Sequence, residues 1–308
     1  MADLLKNCLS SIERFASVGL SLQVLVVDNN SSDESVEVVR RDFPWVTLIA
    51  NKTNVGFAKA NNQAFSQCTG EFVLLLNPDT EVYERSLEIM VEFLRHHPEY
   101  GAAGPKLVSV DQKVWYEGAR NLPRLVDVVA EAFMLRRVFP HSKIFGGLLM
   151  SYWDHESDRD VDCLQGACIL VRRRVIDRVG MLDEALFMYF EDVDFCCRIR
   201  QAGLRIRYLS SSVVLHIWQG STQRSSEKEQ RMVKLTYQSY YYFFKKHNKK
   251  IYSVVARVII VCGGIFRIVV FSLVGLVDSR VRKSTARRKG YLMLNSMKSS
   301  ELRIASRE

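Results

Sequence analysis

The sequence lacks two features of exported proteins. Its seven cysteines are odd in number and include no Cys-x-x-Cys pair, which favours buried thiols in a reduced compartment over a disulfide framework. The first residues, Met-Ala-Asp-Leu-Leu-Lys, lack the basic and then apolar layout of a signal peptide. We therefore expect a cytoplasmic catalytic body.

The C-terminal part of the chain has few acidic residues. Residues 219–308 contain 19 Lys and Arg against 5 Asp and Glu, whereas residues 1–218 contain 24 against 29. The apolar stretch from Ile251 to Val277 also lacks an unbroken run of spanning length, because Arg257 and Arg267 interrupt it. A spanning helix needs about 20 apolar residues, and an Arg near the bilayer centre costs roughly 2.5–3.5 kcal/mol.

We interpret residues 223–308 as a basic, amphipathic helical tail that lies on the inner face of the plasma membrane, with a true span as the alternative. The basic residues from Arg280 to Lys289 suit anionic lipid headgroups. Nucleic acid is not the expected partner, because the adjoining apolar helix favours a membrane.

What is present in residues 1–222 is an alternation of strand-like and helix-like segments. An amphipathic helix opens the chain, and apolar runs predict strands at Leu22 to Val27, Val46 to Ala50 and Val73 to Leu76. A helix from about Glu81 to His96 and a strand from Gly101 to Val108 follow. This pattern predicts an α/β fold whose buried strands form a parallel sheet.

The stretch from Phe72 to Thr80 is the centre of this pattern. Its apolar run ends in Asn77-Pro78-Asp79, where Pro78 prevents further strand pairing. Ligands bind at the carboxyl edge of such sheets, so Asp79 is a candidate ligand for a hard cation that holds a diphosphate. The alternative is that Asp79 caps the following helix.

Other polar residues also follow apolar runs. Asp28 comes one residue after a strand, and Gly56 precedes a helix whose N-terminus offers free N–H groups. His216 ends a later strand, where coordination of the same cation and an ordinary buried histidine are both open interpretations.

Two further segments are candidates for the acceptor side. Gly166-Ala167 suits a floor for a sugar ring, because a larger side chain would fill that space. Glu191-Asp192 begins a helix beside Phe187, Tyr189 and Phe190. Partial desolvation raises a carboxyl pKa toward that of a general base, while plain helix-dipole stabilisation is the alternative.

Residues 109–160 show little periodicity. We predict either a mobile insertion that covers the acceptor site or a surface subdomain held by aromatic packing. We interpret His155 and Glu156, within its polar end, as solvated side chains.

Six motifs occur in the order seen in inverting family 2 glycosyltransferases, and the sequence most resembles the rhamnosyltransferase and galactofuranosyltransferase branch. The resemblance covers about residues 3–222 and is carried by Val26-Val-Asp-Asn-Asn-Ser-Ser-Asp33, Asn54-Val-Gly-Phe-Ala-Lys-Ala-Asn-Asn62, Leu75-Leu-Asn-Pro-Asp-Thr80, Gly166-Ala-Cys-Ile-Leu-Val-Arg-Arg173, Phe187-Met-Tyr-Phe-Glu-Asp-Val-Asp-Phe195 and His216.

The resemblance implies a GT-A fold, Rossmann-like with a mixed sheet and helices on both faces, that transfers rhamnose or a similar sugar from a dTDP- or UDP-sugar to a polysaccharide or lipid-linked glycan. It implies Mg²⁺ or Mn²⁺ on Asp79 and His216, with Asp192 as the catalytic base beside Glu191. The implied donor residues are Asp28, Asn54, Gly56, Lys59, Asn77 and Asp79, and the acceptor residues are Gly166, Ala167 and Tyr189.

Two departures accompany the resemblance. Asn77 stands where the family's Asp-x-Asp motif has its first acid, and the family's first apolar strand has no counterpart before the opening helix. We expect a gap between Val24–Val27 and Val73–Leu76, with poor nucleotide binding and aggregation of this chain. A truncated, inactive binding or scaffold protein is therefore the alternative function, and a nucleotidyltransferase of similar topology is a third.

Overall fold

The computed structural model describes residues 1–15, 19–217, 226–277 and 285–297. The chain forms two compact units. The first contains Met1–Leu122, Trp153–Phe187 and Glu191–Gln219, and the second contains Pro123–Tyr152, Met188–Phe190 and Gly220–Glu308. The predicted boundary between residues 222 and 223 lies in 218–225, outside the described residues.

The first unit alternates helices and strands, as predicted. Its first half contains α1 (Ala2–Phe15), β1 (Leu25–Asp28), α2 (Ser35–Asp42), β2 (Thr47–Ala50), α3 (Phe57–Phe65), β3 (Phe72–Leu76), β4 (Thr80–Val82), α4 (Ser86–His96) and β5 (Tyr100–Val108). A short 3₁₀ helix (Tyr116–Gly118) and β6 (Ala119–Arg120) follow. Its remaining elements are β7 (Arg159–Val161), β8 (Cys163–Leu164), β9 (Cys168–Arg172), α7 (Arg173–Val179), α8 (Glu191–Gln201) and β10 (Arg205–His216).

The main sheet is mixed. Its strand order is β3-β9-β5-β10-β4, with β7 also paired to β10. Among its described strands, β5 and β10 are the neighbours that pair in parallel, while β3 pairs antiparallel with β9. The prediction that β3 belongs to a parallel sheet is therefore wrong. An apolar run reports burial on both faces of a sheet, and burial does not determine strand direction.

The prediction of a helix from Glu81 is also wrong. Residues Thr80–Val82 form β4, which pairs antiparallel with β10, and α4 begins only at Ser86. Nonlocal strand pairing overrides the local helical pattern here. Because Asp79 precedes a strand, it does not cap a helix.

β1 and β2 form a separate parallel ladder, in which Leu25 pairs with Thr47 and Asp28 pairs with Ala50. Among the described residues no strand joins this ladder to β3. Helix α1 packs its apolar face, which includes Leu5, Leu9 and Ile12, into the same hydrophobic core as β4 and α4.

The polar end of the 109–160 segment is partly buried. His155 is fully buried and stacks on Trp153 with ring centroids 4.0 Å apart, so the prediction that it is solvated is wrong. Glu156 is exposed and pairs with Lys106 at 2.8 Å. The two rings are two residues apart, a spacing that puts side chains on one face in a strand, but these residues form neither a strand nor a helix.

The second unit is helical where it is described. It contains α5 (Leu125–Ala132), α6 (Leu135–Val138), α9 (Ser226–His247), α10 (Lys250–Val277) and α11 (Thr285–Ser296). Helix α10 is continuous through Arg257 and Arg267. Between Lys250 and Val274 it is long and apolar enough to cross a membrane, by length and composition. Residues 280–284 of the predicted basic segment lie outside the described residues.

Arg267 is buried within the second unit. Its Nε donates to the carbonyl of Ala132 at 2.9 Å, and its guanidinium also contacts Glu131. Gly263 lies against Ala132 so closely that an added Cβ would be 2.5 Å from the alanine side chain. One side of α10 is therefore packed against α5.

Candidate active site

The Asp28 end of the site is built on β1. Asp28 is the last residue of that strand rather than one residue beyond it, is buried, and accepts a hydrogen bond from the N–H of Ser31 at 3.2 Å. This hydrogen bond joins residues three positions apart, and it stabilises the turn that follows the strand.

Asn29 organises the neighbouring loop, a role that the sequence did not reveal. Its Nδ2 donates to Oδ1 of Asn54 at 2.9 Å and to the carbonyl of Gly56, and its Oδ1 accepts the N–H of Val55 at 2.9 Å. The cluster Asp28-Asn29-Asn30 was the available signal, because asparagine side chains commonly bond to nearby backbone.

Gly56 is required by a protein contact. It has φ +89°, and an added Cβ would lie 2.8 Å from the Phe187 ring and 2.9 Å from the Phe187 carbonyl. That carbonyl accepts the N–H of Phe57 at 2.8 Å, at the start of α3. Lys59, on the same helix, is exposed.

Asp79 and His216 meet because β4 and β10 are antiparallel neighbours. Thr80 pairs with His216 in the ladder, and the N–H of Ile217 donates to the carbonyl of Asp79 at 2.7 Å. As a result, Asp79 Oδ1 lies 3.4 Å from His216 Nε2. The carbonyl of Asn77 accepts the hydroxyl of Thr80 at 2.7 Å, which closes the turn.

These side chains are suited to a divalent cation. A carboxylate and an imidazole nitrogen are both ligands of such ions, and His216 Nδ1 is buried without a hydrogen-bond partner in the described structure. No group of three His, Cys, Asp or Glu side chains converges among the described residues. Asp79 and His216 are therefore two candidate ligands, and a cation held by two protein groups would have other positions for diphosphate oxygens and water.

Gly166 and Ala167 connect the turn that carries Asp79 with the carboxylate of Asp192. The Ala167 carbonyl accepts the N–H of Asn77 at 2.9 Å, and the N–H of Gly166 donates to Asp192 Oδ2 at 3.0 Å. A Cβ added to Gly166 would lie 3.5 Å from Asp192 Cβ, an ordinary contact. The protein itself therefore does not require glycine at this position for packing.

Asp192 is buried and accepts hydrogen bonds from three donors. Besides Gly166, these are the Arg120 guanidinium at 2.6 Å and the N–H of Val193, at 2.7 Å from Oδ1. Arg120 was not among the predicted site residues. It lies in the two-residue strand β6, 72 positions away from Asp192, and no periodic pattern identifies such a partner.

Glu191 is buried next to Asp192 but has a different environment. Its Oε2 has no hydrogen-bond partner in the described structure. Burial, and then the negative charge of Asp192, raise the pKa of Glu191 to about 8, although the Arg120 charge opposes this shift. Of the two carboxyl groups, Glu191 is therefore the one whose pKa burial raises, as predicted for the pair from its aromatic neighbours.

Of the three rings predicted beside this pair, Phe187 belongs to the first unit, while Tyr189 and Phe190 belong to the second. Tyr189 and Phe190 have φ values of +71° and +72°, and the Phe190 ring packs on Tyr240 with centroids 4.5 Å apart.

Comparison with known proteins identifies the family. Residues 2–180 match the glycosyl transferase family 2 model. The chain is 31% identical over 229 residues to an N-acetylglucosaminyl-diphospho-decaprenol L-rhamnosyltransferase from Mycobacterium tuberculosis, covering 69% of this chain and 74% of that relative. It is 27% identical over 218 residues to Rhamnosyltransferase WbbL from Escherichia coli, covering 63% of this chain and 78% of that relative.

The fold has a solved counterpart. The mannosyltransferase PcManGT from Pyrobaculum calidifontis, in complex with GDP-Man and Mn²⁺, superposes with a TM-score of 0.57 at 15% identity, over 98% of this chain and 84% of that protein. The predicted GT-A fold is confirmed, and the chain belongs to glycosyl transferase family 2.

Proposed function

We propose that this glycosyltransferase moves rhamnose or a similar sugar, with inversion, from a dTDP- or UDP-sugar to a lipid-linked or polysaccharide acceptor in bacterial cell-surface glycan synthesis. The observation that carries the proposal is the Gly166-Ala167 segment. Through two backbone hydrogen bonds it ties the turn that holds Asp79 to the carboxylate of Asp192.

The donor side is formed by residues at strand and helix ends. Asp28, Asn54 and Gly56 contact the nucleoside, while Lys59, Asn77 and Asp79 face the diphosphate. Asp79 and His216 would hold Mg²⁺ or Mn²⁺, and the cation would neutralise the charge that develops on the departing diphosphate.

The acceptor side is formed around Asp192. Its carboxylate takes the proton of the acceptor hydroxyl while that oxygen attacks the anomeric carbon, opposite the leaving diphosphate. Glu191 adjoins the base. Gly166, Ala167 and Tyr189 contact the acceptor sugar.

The names of the relatives support the acceptor class. The mycobacterial relative is named for an N-acetylglucosaminyl-diphospho-decaprenol acceptor, so we expect an acceptor whose sugar is linked through diphosphate to a lipid. The archaeal mannosyltransferase was solved with a nucleotide sugar and Mn²⁺, which supports the class of donor and metal.

The test is transfer by the full chain with Mn²⁺, a panel of dTDP- and UDP-sugars, and a synthetic N-acetylglucosaminyl diphospholipid. We expect product with dTDP-rhamnose and, by NMR, an anomeric configuration opposite to that of the donor. Retained configuration would refute the mechanism, and transfer only from another donor would refute the sugar assignment.

One observation favours the alternative of a binding protein without activity. The Asp28 ladder shares no hydrogen-bonded strand with the main sheet among the described residues. One measurement separates the enzyme from the binding protein. A binding protein would bind the nucleotide sugar in calorimetry but would release no nucleoside diphosphate when acceptor is added.

We also propose that the second unit binds the inner membrane surface. Large apolar side chains are exposed along α10, among them Ile251, Val258, Val269 and Leu273. Arg267, in contrast, is buried against α5. A helix packed on one side and apolar on the other suits a position along the membrane interface, and we propose that this is the cytoplasmic face of the inner membrane.

Substitution of the exposed α10 residues tests this position. We expect Val258→Glu with Leu273→Glu to weaken binding to anionic vesicles more than about tenfold, because burial of one aliphatic side chain contributes ~1.5–3 kcal/mol. Val110→Glu, at an equally exposed valine of the first unit, is the matched control and should leave binding unchanged. If both variants float with the vesicles to the same extent, the exposed side of α10 does not bind the membrane.

A further inference from the structure

Arg120 is in contact with one member of an adjacent pair of carboxyl groups. Its guanidinium lies 2.6 Å from Asp192 Oδ2, and both side chains are largely withdrawn from solvent, with exposures of 19% and 9%. Among the described residues, no other cationic side chain forms an ion pair with Asp192. Arg120 Nε is itself buried without a hydrogen-bond partner there.

Glu191 receives no comparable donor. Its Oε2 is buried and unpartnered in the described structure, although the residue directly adjoins Asp192. Two neighbouring buried carboxyl groups do not both ionise readily, because each charge opposes the other. With a single guanidinium at the pair, one negative charge is compensated and the second is not.

We propose that Arg120 determines which of the two carboxyl groups is ionised, so that Asp192 is the deprotonated base while Glu191 stays neutral. The inference rests on the proposed function of this site. Arg120 is thus a positioning residue that acts through Asp192. The three donors on Asp192 suit an ionised carboxylate, and Glu191, whose Oε2 has no partner in the described structure, suits a neutral one.

Within the described part of the chain, the other titratable groups that act on the pair and on Arg120 carry no positive charge. Glu117 and the thiol of Cys163 face Arg120, and the Cys196 thiol lies near Asp192. The bond to Cys163, together with burial, raises the pKa of Cys196 well above its ordinary value, so this thiol stays neutral. Arg120 therefore has no substitute within this group.

Removal of the Arg120 charge should make the pair share one proton. In Arg120→Met, we expect the acidic limb of the kcat/KM profile to move at least one unit to higher pH. The rate should fall more than tenfold at pH 7 and recover in part at pH 9. Arg120→Lys keeps a positive charge and should leave the limb within half a unit of its original position.

Two further variants separate this effect from a loss of structure. Arg198→Met removes a similarly buried ion pair to another α8 carboxylate, Asp194, and should leave the position of the limb unchanged. When Glu191 is already glutamine, Arg120→Met should move the limb much less, because no neighbour competes for the proton. Thermal melting checks that each variant is folded.

Infrared spectroscopy provides a readout without turnover. The difference spectrum between the unmutated protein and Glu191→Gln should contain a protonated carboxyl band at pH 6.5, and in Arg120→Met that band should persist to higher pH. An unshifted band together with a pH-independent loss of rate would overturn the inference. Absence of transfer in the unmutated protein would instead refute the proposed function, while the infrared result still decides the role of Arg120.

Discussion

Asp79 and Asp192 are both acids of the first unit, but their surroundings differ. Among the described residues, the Asp79 carboxylate has one polar side chain nearby, His216 at 3.4 Å, whereas Asp192 accepts three hydrogen bonds. Asp79 is also more exposed, at 15% against 9%. Protein groups supply the hydrogen-bond donors of the Asp192 carboxylate, whereas the Asp79 carboxylate has room for a bound cation or ligand.

The difference separates two kinds of contribution. A group whose orientation is fixed in advance lowers the barrier of the chemical step, because no reorganisation is needed when the reaction occurs. A group that still lacks ligands contributes chiefly to binding. Substitution at each acid should therefore affect different measured quantities.

The largest effect is expected for Asp192→Asn. Transfer should fall by about 10²–10⁴-fold, the usual contribution of a general base. Donor affinity in calorimetry should stay within about twofold, since the base acts on the acceptor. Asp111→Asn, at an exposed carboxylate, is the control. Turnover within tenfold of the unmutated protein would contradict the assignment of the base.

Asp79→Ala should affect binding first. Donor affinity measured with Mn²⁺ should weaken more than about tenfold, because one of two protein ligands is lost. Affinity measured with EDTA should be the same for the variant and the unmutated protein. If the variant binds donor with Mn²⁺ as tightly as the unmutated protein does, Asp79 is not a metal ligand.

The smallest effect is expected on stability. The pKa of Glu191 is raised to about 8 in the folded chain, mainly by burial, so the folded state holds a proton that the unfolded state has released. The contribution of this proton to the free energy of unfolding is complete below 4.5, the pKa of the glutamate in the unfolded chain. It is lost as the pH rises toward 8, at up to about 1.4 kcal/mol per pH unit.

Glu191→Gln checks this expectation. Denaturant unfolding between pH 5 and 8 should give a flatter dependence of the unfolding free energy on pH in the variant than in the unmutated protein. Parallel curves for the two proteins would show that Glu191 is ionised at neutral pH in the folded state.

Local sequence patterns predicted the positions of most elements of the first unit. Apolar runs predicted β1, β2, β3 and β5 within a few residues. Asp79 was a candidate because it follows such a run, and Asp192 because it begins a helix beside aromatic residues. Patterns of this kind depend on burial and on residue spacing, both of which are local. They also predicted the helix that begins at Glu191.

Nonlocal contacts were not predictable in the same way. Three such contacts join segments about 70 or more positions apart. They are the antiparallel pairing of β3 with β9, the pairing of Thr80 with His216, and the hydrogen bond from Arg120 to Asp192. Only the folded chain brings those segments together. The stacking of His155 on Trp153 was missed for a different reason, because these residues are close in sequence but lie outside any helix or strand.

The separate ladder of β1 and β2 has a consequence for local unfolding. Most of β1 is only half-buried and pairs with a single strand, whereas β9 is fully buried between two strands. The segment that carries Asp28 should therefore open at a lower free energy than the sheet beside Asp79. Under the proposed donor role of Asp28, binding of the nucleotide shifts this opening equilibrium, and amide hydrogen exchange at Val26 and Val27 slows more than exchange at Ile169 and Leu170.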